Sequence, residues 1–422
     1  MLLYFEILAS LVGAAFLVWF VLVVLFAPGI PYSVQPPVDA STAHFITTLE
    51  AACQTTLRAG NSIEVFSNGP NFYPAMLDAI RGAQESINLE CYIFSKGEAA
   101  KLFIAALSER ARAGVRVSIV MDTYGSLRAY LGSLKELKAA GCRVCHYRHV
   151  TWYGLARLNN RTHRELLIVD GRVAFVGGAG IADWWLKPYK GRPVWRDMMA
   201  RIEGPIVPDI QGIFAENWLE CCGEIFAGED TYKPRTVAGS IDALAIRSSP
   251  SDRSTVSRIL FQTIIEGARK SVRISTPYFL PDRAFRKALI KKAKSGVPVS
   301  VVVPGKHTDL KYLRLASRRG YGSMLANGVK IFEYQPGMTH VKALIVDDLW
   351  AVIGSTNLDN RSFEHNDEDN VAARDPGIAA RLTEDFESDL AESRAMTLAE
   401  WRRRPIWEKA VGSIAWLLER QQ

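Results

Sequence analysis

The sequence predicts an α/β protein made of two copies of one βα unit, two sheet halves sandwiched by helices, behind an N-terminal membrane-spanning helix. Three observations predict it. A helix end, a buried β-run, an aromatic turn, a helix and a second β-run follow one another twice, once from Ile80 and again from Ile265. A short polar motif with a histidine near its start also occurs twice, at His163 and at His340. Ahead of both units, Ile7 to Phe26 holds twenty residues without a charge, long enough to cross a bilayer as a helix.

Residues 1–28 form the anchor in this scheme, closed by Pro28 and Gly29. The apolar run is too long for a signal-peptide core, and no basic residue precedes it. Glu6 stands before it and the first basic residue after it is Arg58, so its orientation is not legible. Residues 29–60 read as a Pro-rich spacer and a lead-in helix, 61–236 as the first unit and 237–395 as the second. Residues 396–422 read as an amphipathic C-terminal helix, where Trp401, Trp407, Trp416 and the run Arg402 to Arg404 flank apolar residues. That composition suits a helix at a headgroup layer or one packed on the core.

Composition narrows the partners. Of 422 residues, 48% are apolar and 23% charged, as in an ordinary folded chain, while the net charge of +7 favours anionic partners. Six cysteines (Cys53, Cys91, Cys142, Cys145, Cys221 and Cys222) are too few for a disulfide framework at this length. Cys142 and Cys145 form one CxxC pair without the second pair a zinc site would need, so no metal or other cofactor is expected.

The repeat sets the architecture. Ile80 to Ser95 matches Ile265 to Leu280, and Ala113 to Thr123 matches Ser295 to Lys306. Near-continuous apolar strands alternating with helices call for a sheet covered on both faces. In the second unit, His340 and Lys342 share one face of a strand, and Asp347-Asp348 signals a turn. A two-residue loop there would set His340 opposite Ser355, with Asn357 just beyond. An imidazole, an ammonium, a hydroxyl and an amide on one patch suit a phosphoryl group under attack. In the first unit, Asp170-Gly171 signals the same turn and would set His163 opposite Gly178, which leaves room for a substrate. Glu165 stands at the position of Lys342, and Gly180 at that of Asn357.

The spacing of His340, Lys342, Asp347, Gly354 and Asn357 resembles the signature of the phospholipase D superfamily. Gly354-Ser355 and the run Leu358 to Phe363 are similar to its cardiolipin synthase branch. The resemblance implies a duplicated phospholipase D-like fold around one shared active site. In it, His163 attacks phosphorus to give a phosphohistidine, and His340 protonates the leaving alcohol. Lys342, Ser355, Asn357 and Gly178 bind the phosphate, Asp170 and Asp347 brace the hairpins, and no metal takes part.

Each histidine needs a carboxylate to fix its tautomer. Glu368 is expected to serve His340, and Asp197 to serve His163. Glu165 is the obstacle, because it sets a carboxylate beside an anionic substrate. Arg161, on the same face, could pair with it, and Arg164 or Arg196 could assist Lys342. Three outcomes stay open: Lys342 suffices, Glu165 binds an acceptor hydroxyl, or the first half-site has decayed and the protein is a lipid-binding pseudoenzyme.

The substrate implied is an anionic phospholipid, with phosphatidylglycerol as donor and acceptor and glycerol released. Water as acceptor would make a phospholipase D-type hydrolase. The setting implied is a bacterial-type inner membrane, with the side of the catalytic domain open. Nucleic acid is disfavoured, since no separate basic stripe with interleaved aromatics occurs. The loop Trp184 to Arg196 reads as a lipid-facing lip or as packing, and Tyr92 and Tyr278 either reach the site or pack behind it. Oligomeric state is not legible.

Overall fold

The repeat becomes one continuous sheet. The computed structural model describes residues 2–26, 30–127, 133–147, 160–228, 231–250 and 255–418. The first unit contributes β1 (Arg58–Ser67), β2 (Ser86–Cys91), β3 (Arg116–Asp122), β4 (Arg143–Tyr147), β5 (Arg161–Thr162), β6 (Leu166–Val169), β7 (Val173–Gly177) and β8 (Met198–Glu203). The second contributes β9 (Ile241–Ser248), β10 (Val272–Ser275), β11 (Val299–Pro304), β12 (Lys330–Tyr334), β13 (Ala343–Val346), β14 (Trp350–Gly354), β15 (Asn366–Arg374) and β16 (Ser393–Ala395). β1 and β9 lie antiparallel at the centre. Outward from β1 the order is β8, β7, β6, β2, β3, β4. Outward from β9 it is β15, β14, β13, β10, β11, β12, with β16 at the edge. The two units are therefore related by a pseudo-two-fold axis at the β1–β9 junction.

The continuous apolar runs of β6 and β13 are buried along their whole length, as is β2 with its polar Asn88 and Glu90. The helices Gly69–Gly82 and Glu98–Arg112 cover the first unit's outer face, and Val256–Gly267, Arg283–Lys294 and Lys311–Leu325 cover the second's. Between the half-sheets, Val65, Leu166, Ile345 and Val371 join residues of the helices Val207–Cys222 and Pro376–Ala391 in one core. Each such side chain contributes about 1.5–3 kcal/mol by leaving water. The shared core locks the units together.

Both motif hairpins have three-residue loops, not the expected two. Val346 pairs with Trp350, and Val169 with Val173. The loops start in the left-handed region at Asp347 (φ 59°) and Asp348 (φ 53°), and at Asp170 (φ 51°) and Gly171 (φ 59°). The extra residue lets each first aspartate turn back onto the neighbouring chain. Asp347 accepts from the backbone N–H groups of Arg269, Lys270 and Ser271. Asp170 accepts from those of Gln84, Glu85 and Ser86. A one-residue slip moves the register, so His340 does not face Ser355 across its hairpin, nor His163 Gly178.

Both histidine segments instead leave their own hairpins and join the other unit. β5 runs parallel beside β15, and the N–H of His163 donates to the carbonyl of Asp367 at 2.8 Å. Thr339 bridges Arg196, and the N–H of His340 donates to the Arg196 carbonyl at 2.7 Å. The crossing is symmetric.

Residues Leu2–Phe26 form one helix, and its described side chains, from Tyr4 to Trp19, are exposed. Among the described residues, no helix is long and apolar enough to cross a membrane. Pro28 and Gly29 lie outside the described residues. At the other end, the helix Ile406–Leu418 packs along Lys311–Leu325, where Glu408 pairs with Arg318 at 2.8 Å. Trp401 donates to the Arg318 carbonyl at 2.5 Å and fills the space above Gly322. Ile406, Trp407, Val411 and Ile414 stay exposed; the side chain of Trp416 and residues 419–422 lie outside the described residues.

Candidate active site

The crossing brings four titratable residues to the boundary between units. His163 Nδ1 lies 3.0 Å from Glu368 Oε2, and His340 Nδ1 lies 2.9 Å from Asp197 Oδ2. These pairings reverse the expected ones, in which each acid served the histidine of its own unit. β15 carries Glu368 alongside β5, and the segment entering β8 carries Asp197 alongside 338–340, so each acid meets its neighbour's histidine. Proximity in sequence misled because the strands exchange partners.

The small groups cross as well. Ser355 donates to Glu368 Oε2 and so belongs with His163. Gly178 belongs with His340: a Cβ there would lie 2.6 Å from Asp197 Oδ1 and 3.1 Å from Lys342 Nζ. The Lys342 ammonium donates to the His340 carbonyl at 3.0 Å and lies 2.8 Å from His340 Nδ1 and 3.2 Å from Nε2. Burial, and then that ammonium, pull the His340 pKa below its ordinary value, with Asp197 opposing. Burial likewise lowers the pKa of Lys342. The Asn357 N–H donates to Ser362, and its buried side-chain Oδ1 has no protein partner.

Aromatic rings back both histidines. Trp185 and Trp195 pack on His340 at 5.5 and 5.7 Å between ring centres, and Tyr92 packs on His163 at 5.4 Å. Trp185 also donates its indole N–H to Asp197 Oδ2 at 3.0 Å, on the oxygen that holds His340. The aromatic loop therefore supplies packing beneath the site, while Tyr189 beyond it stays exposed. The sequence signalled these tryptophans only as a cluster. Asp309, which accepts from Tyr278 at 2.5 Å and favours the protonated forms of His340 and Lys342, had no signal.

Glu165 is buried, and its Oε1 accepts from the backbone N–H groups of Tyr92 at 3.2 Å and Ile93 at 3.4 Å. Burial pushes its carboxyl well above the usual carboxylate range, with the Ile93 and Tyr92 N–H groups and the Lys342 charge opposing. Arg161 lies over the Tyr124 ring at 5.9 Å, and its charge steadies the buried Asp122 carboxylate. The expected helpers are engaged elsewhere. Arg164 pairs with Glu216 at 2.5 Å and donates to the Ile213 carbonyl. Arg196 is clamped by Asp385 at 3.0 Å and Asp389 at 2.7 Å. Lys342 is a cation placed directly beside His340.

The arrangement holds Nδ1 of each imidazole on a carboxylate, with Lys342 Nζ beside Nε2 of His340. Burial also raises Asp359 and Asp369, near Glu368, to about 6.

Comparison with known proteins places the chain among known families. A family model described as "Cardiolipin synthase, PLD-like domain" matches residues 76–195 and 261–390, once in each unit. The chain is 31% identical over 376 residues to the probable cardiolipin synthase YwiE of Bacillus subtilis, covering 88% of this chain and 74% of that one. It is 32% identical over 357 residues to the cardiolipin synthase of Geobacillus kaustophilus, covering 84% and 71%. Among solved structures, phosphatidylserine synthase of Haemophilus influenzae superposes with a TM-score of 0.66 at 13% identity, covering 89% of this chain and 97% of that one. Polyphosphate kinase of Porphyromonas gingivalis superposes with a TM-score of 0.55 at 13% identity, covering 85% and 53%. These two likenesses concern the fold alone. With both units matched and relatives similar along most of its length, the chain belongs to the cardiolipin synthase family of phospholipase D-like proteins.

Proposed function

We propose that this chain is a cardiolipin synthase-like phosphatidyltransferase that works through a phosphohistidine. The observation that carries this is the pair of imidazoles held at Nδ1 by Glu368 and Asp197. His163 Nε2 attacks the phosphorus of a phosphatidylglycerol. The bond from phosphorus to the glycerol oxygen breaks, and His340 protonates that oxygen. The free hydroxyl of a second phosphatidylglycerol then gives its proton to His340 and attacks, and the P–N bond breaks. Two phosphatidylglycerols become cardiolipin and glycerol. Lys342 and the Asn357 amide meet the phosphoryl oxygens, while the Ser355 hydroxyl, which donates to Glu368, and the Gly178 N–H, which donates to the Met198 carbonyl, brace the two pairs around them.

The pseudoenzyme alternative assumed a Glu165 carboxylate facing the substrate; Glu165 Oε1 is turned instead to the backbone N–H groups of Tyr92 and Ile93, which favours the catalytic reading. Water in place of the second hydroxyl would give phosphatidic acid by the same steps.

A membrane setting is supported by the exposed apolar side chains between Tyr4 and Trp19, which would hold the chain at a bacterial-type inner membrane. The exposed Ile406, Trp407 and Ile414, flanked by exposed Arg402, Arg403 and Lys409, suit the surface of an anionic bilayer.

Rapid quenching of the full-length enzyme on phosphatidylglycerol vesicles tests the intermediate. A phosphatidyl adduct mapped to His163 is expected. An adduct on His340 alone, or none at any time point while cardiolipin accumulates, would refute it.

A further inference from the structure

The first unit departs from the second at two site positions, Glu165 for Lys342 and Gly180 for Asn357, and both departures meet at one stretch of chain. Glu165 Oε1 accepts from the N–H groups of Tyr92 and Ile93. A Cβ at Gly180 would lie 2.6 Å from the Ile93 carbonyl oxygen and 2.9 Å from Glu165 Oε1. The Ile93 carbonyl itself accepts from Ile181 at 2.8 Å. The 92–93 peptide thus touches Glu165 on one side and the space left by Gly180 on the other.

The second unit explains the difference. The bridges Phe94–Ile181 and Phe279–Leu358 are equivalent, so Tyr92 corresponds to Pro277 and Ile93 to Tyr278. Proline has no N–H. An acceptor at position 342 would find no donor at 277, and Lys342 turns to His340 instead. In the first unit, the donor at Tyr92 calls for an acceptor, and Glu165 supplies it. The acceptor and the donor at the Tyr92 position appear together in one unit and are both missing from the other. The Tyr92 ring, carried by this peptide, packs on His163 at 5.4 Å.

We propose that Glu165 is a positioning residue: with Gly180 it clamps the Tyr92–Ile93 peptide, which holds the Tyr92 ring against His163. The second unit, through Lys342, meets the phosphate charge. This rests on the assignment of His163 as the nucleophile.

The test compares full-length wild type with E165Q, E165A, E165K and E165K/G180N on phosphatidylglycerol vesicles, with amide hydrogen exchange of the peptide containing Tyr92 and Ile93 read in parallel. E165A and E165K are expected to speed exchange there, and there alone, and to lower kcat roughly 100-fold with little change in KM, as misplacement of a reacting group does. E165Q, whose amide oxygen can still accept both N–H bonds, is expected to restore slow exchange and most of the rate. E165K/G180N is expected to stay low, because a Cβ at 180 still meets the Ile93 carbonyl. Wild-type rates in E165K or in the double variant would overturn the proposal, as would unchanged exchange in E165A. A wild type inactive on every phospholipid would instead count against the transferase assignment, and the exchange arm would still decide whether the clamp exists.

Discussion

His163 and Glu368 lie 3.0 Å apart although they come from different units, and the same exchange sets Asp197 of the first unit on His340 of the second. Neither unit holds a complete histidine–carboxylate pair. The site exists only where the half-sheets share their core, so packing and chemistry are built by the same crossing.

The crossed pairing predicts which residues couple. In denaturant unfolding, H163A and E368Q should show a coupling of about 0.5–3 kcal/mol, whereas H163A and D197N should be close to additive. E368Q and D197N should each lower turnover by about 10²-fold or more, because the imidazole loses its fixed tautomer. Coupling of H163A with D197N instead would contradict the geometry.

The lowered pKa of His340 fixes the sign of the pH profile. As the general acid it must carry a proton, so kcat/KM should fall as pH rises through a value below 6.5. K342M removes the neighbouring positive charge and should move that limb to higher pH while lowering its height. A limb that stays in place in K342M would separate the two residues.

Gly178 has no room for a side chain. G178A would press on the Asp197 carboxylate at 2.6 Å. Turnover should drop by roughly 10²-fold with stability lowered by only about 1–2 kcal/mol, since one catalytic group shifts while the core stays packed. Steady-state kinetics and thermal melting check both halves of that statement.

Asp347 should matter for stability more than for chemistry. It accepts three backbone N–H groups, and D347A leaves them without that partner. A loss of about 2–4 kcal/mol is expected in equilibrium unfolding, with D170A showing a similar loss at the other hairpin.

Much of this was legible in the sequence, and the rest has definite causes. The repeat and its buried runs announced the duplicated sheet, because strands covered on both faces are mostly apolar. His340, Lys342 and the hairpin aspartates were legible from spacing. The pairing of Glu368 and Asp197 was not, because strand exchange between units leaves no mark on local spacing. The third loop residue was hidden too, since Asp347-Asp348 and Asp170-Gly171 fit either loop length until the backbone N–H acceptors are counted. Glu165 stayed open among three readings because its partners at Tyr92 and Ile93 are backbone groups, which no side-chain pattern reports.

The most direct measurement incubates the full-length protein with phosphatidylglycerol vesicles and follows the lipids by mass spectrometry. Cardiolipin and glycerol formed by wild type, and lost in both H163A and H340A, is the predicted result. No cardiolipin from folded wild type, with product appearing only in E165K, would contradict it and mark the first half-site as decayed.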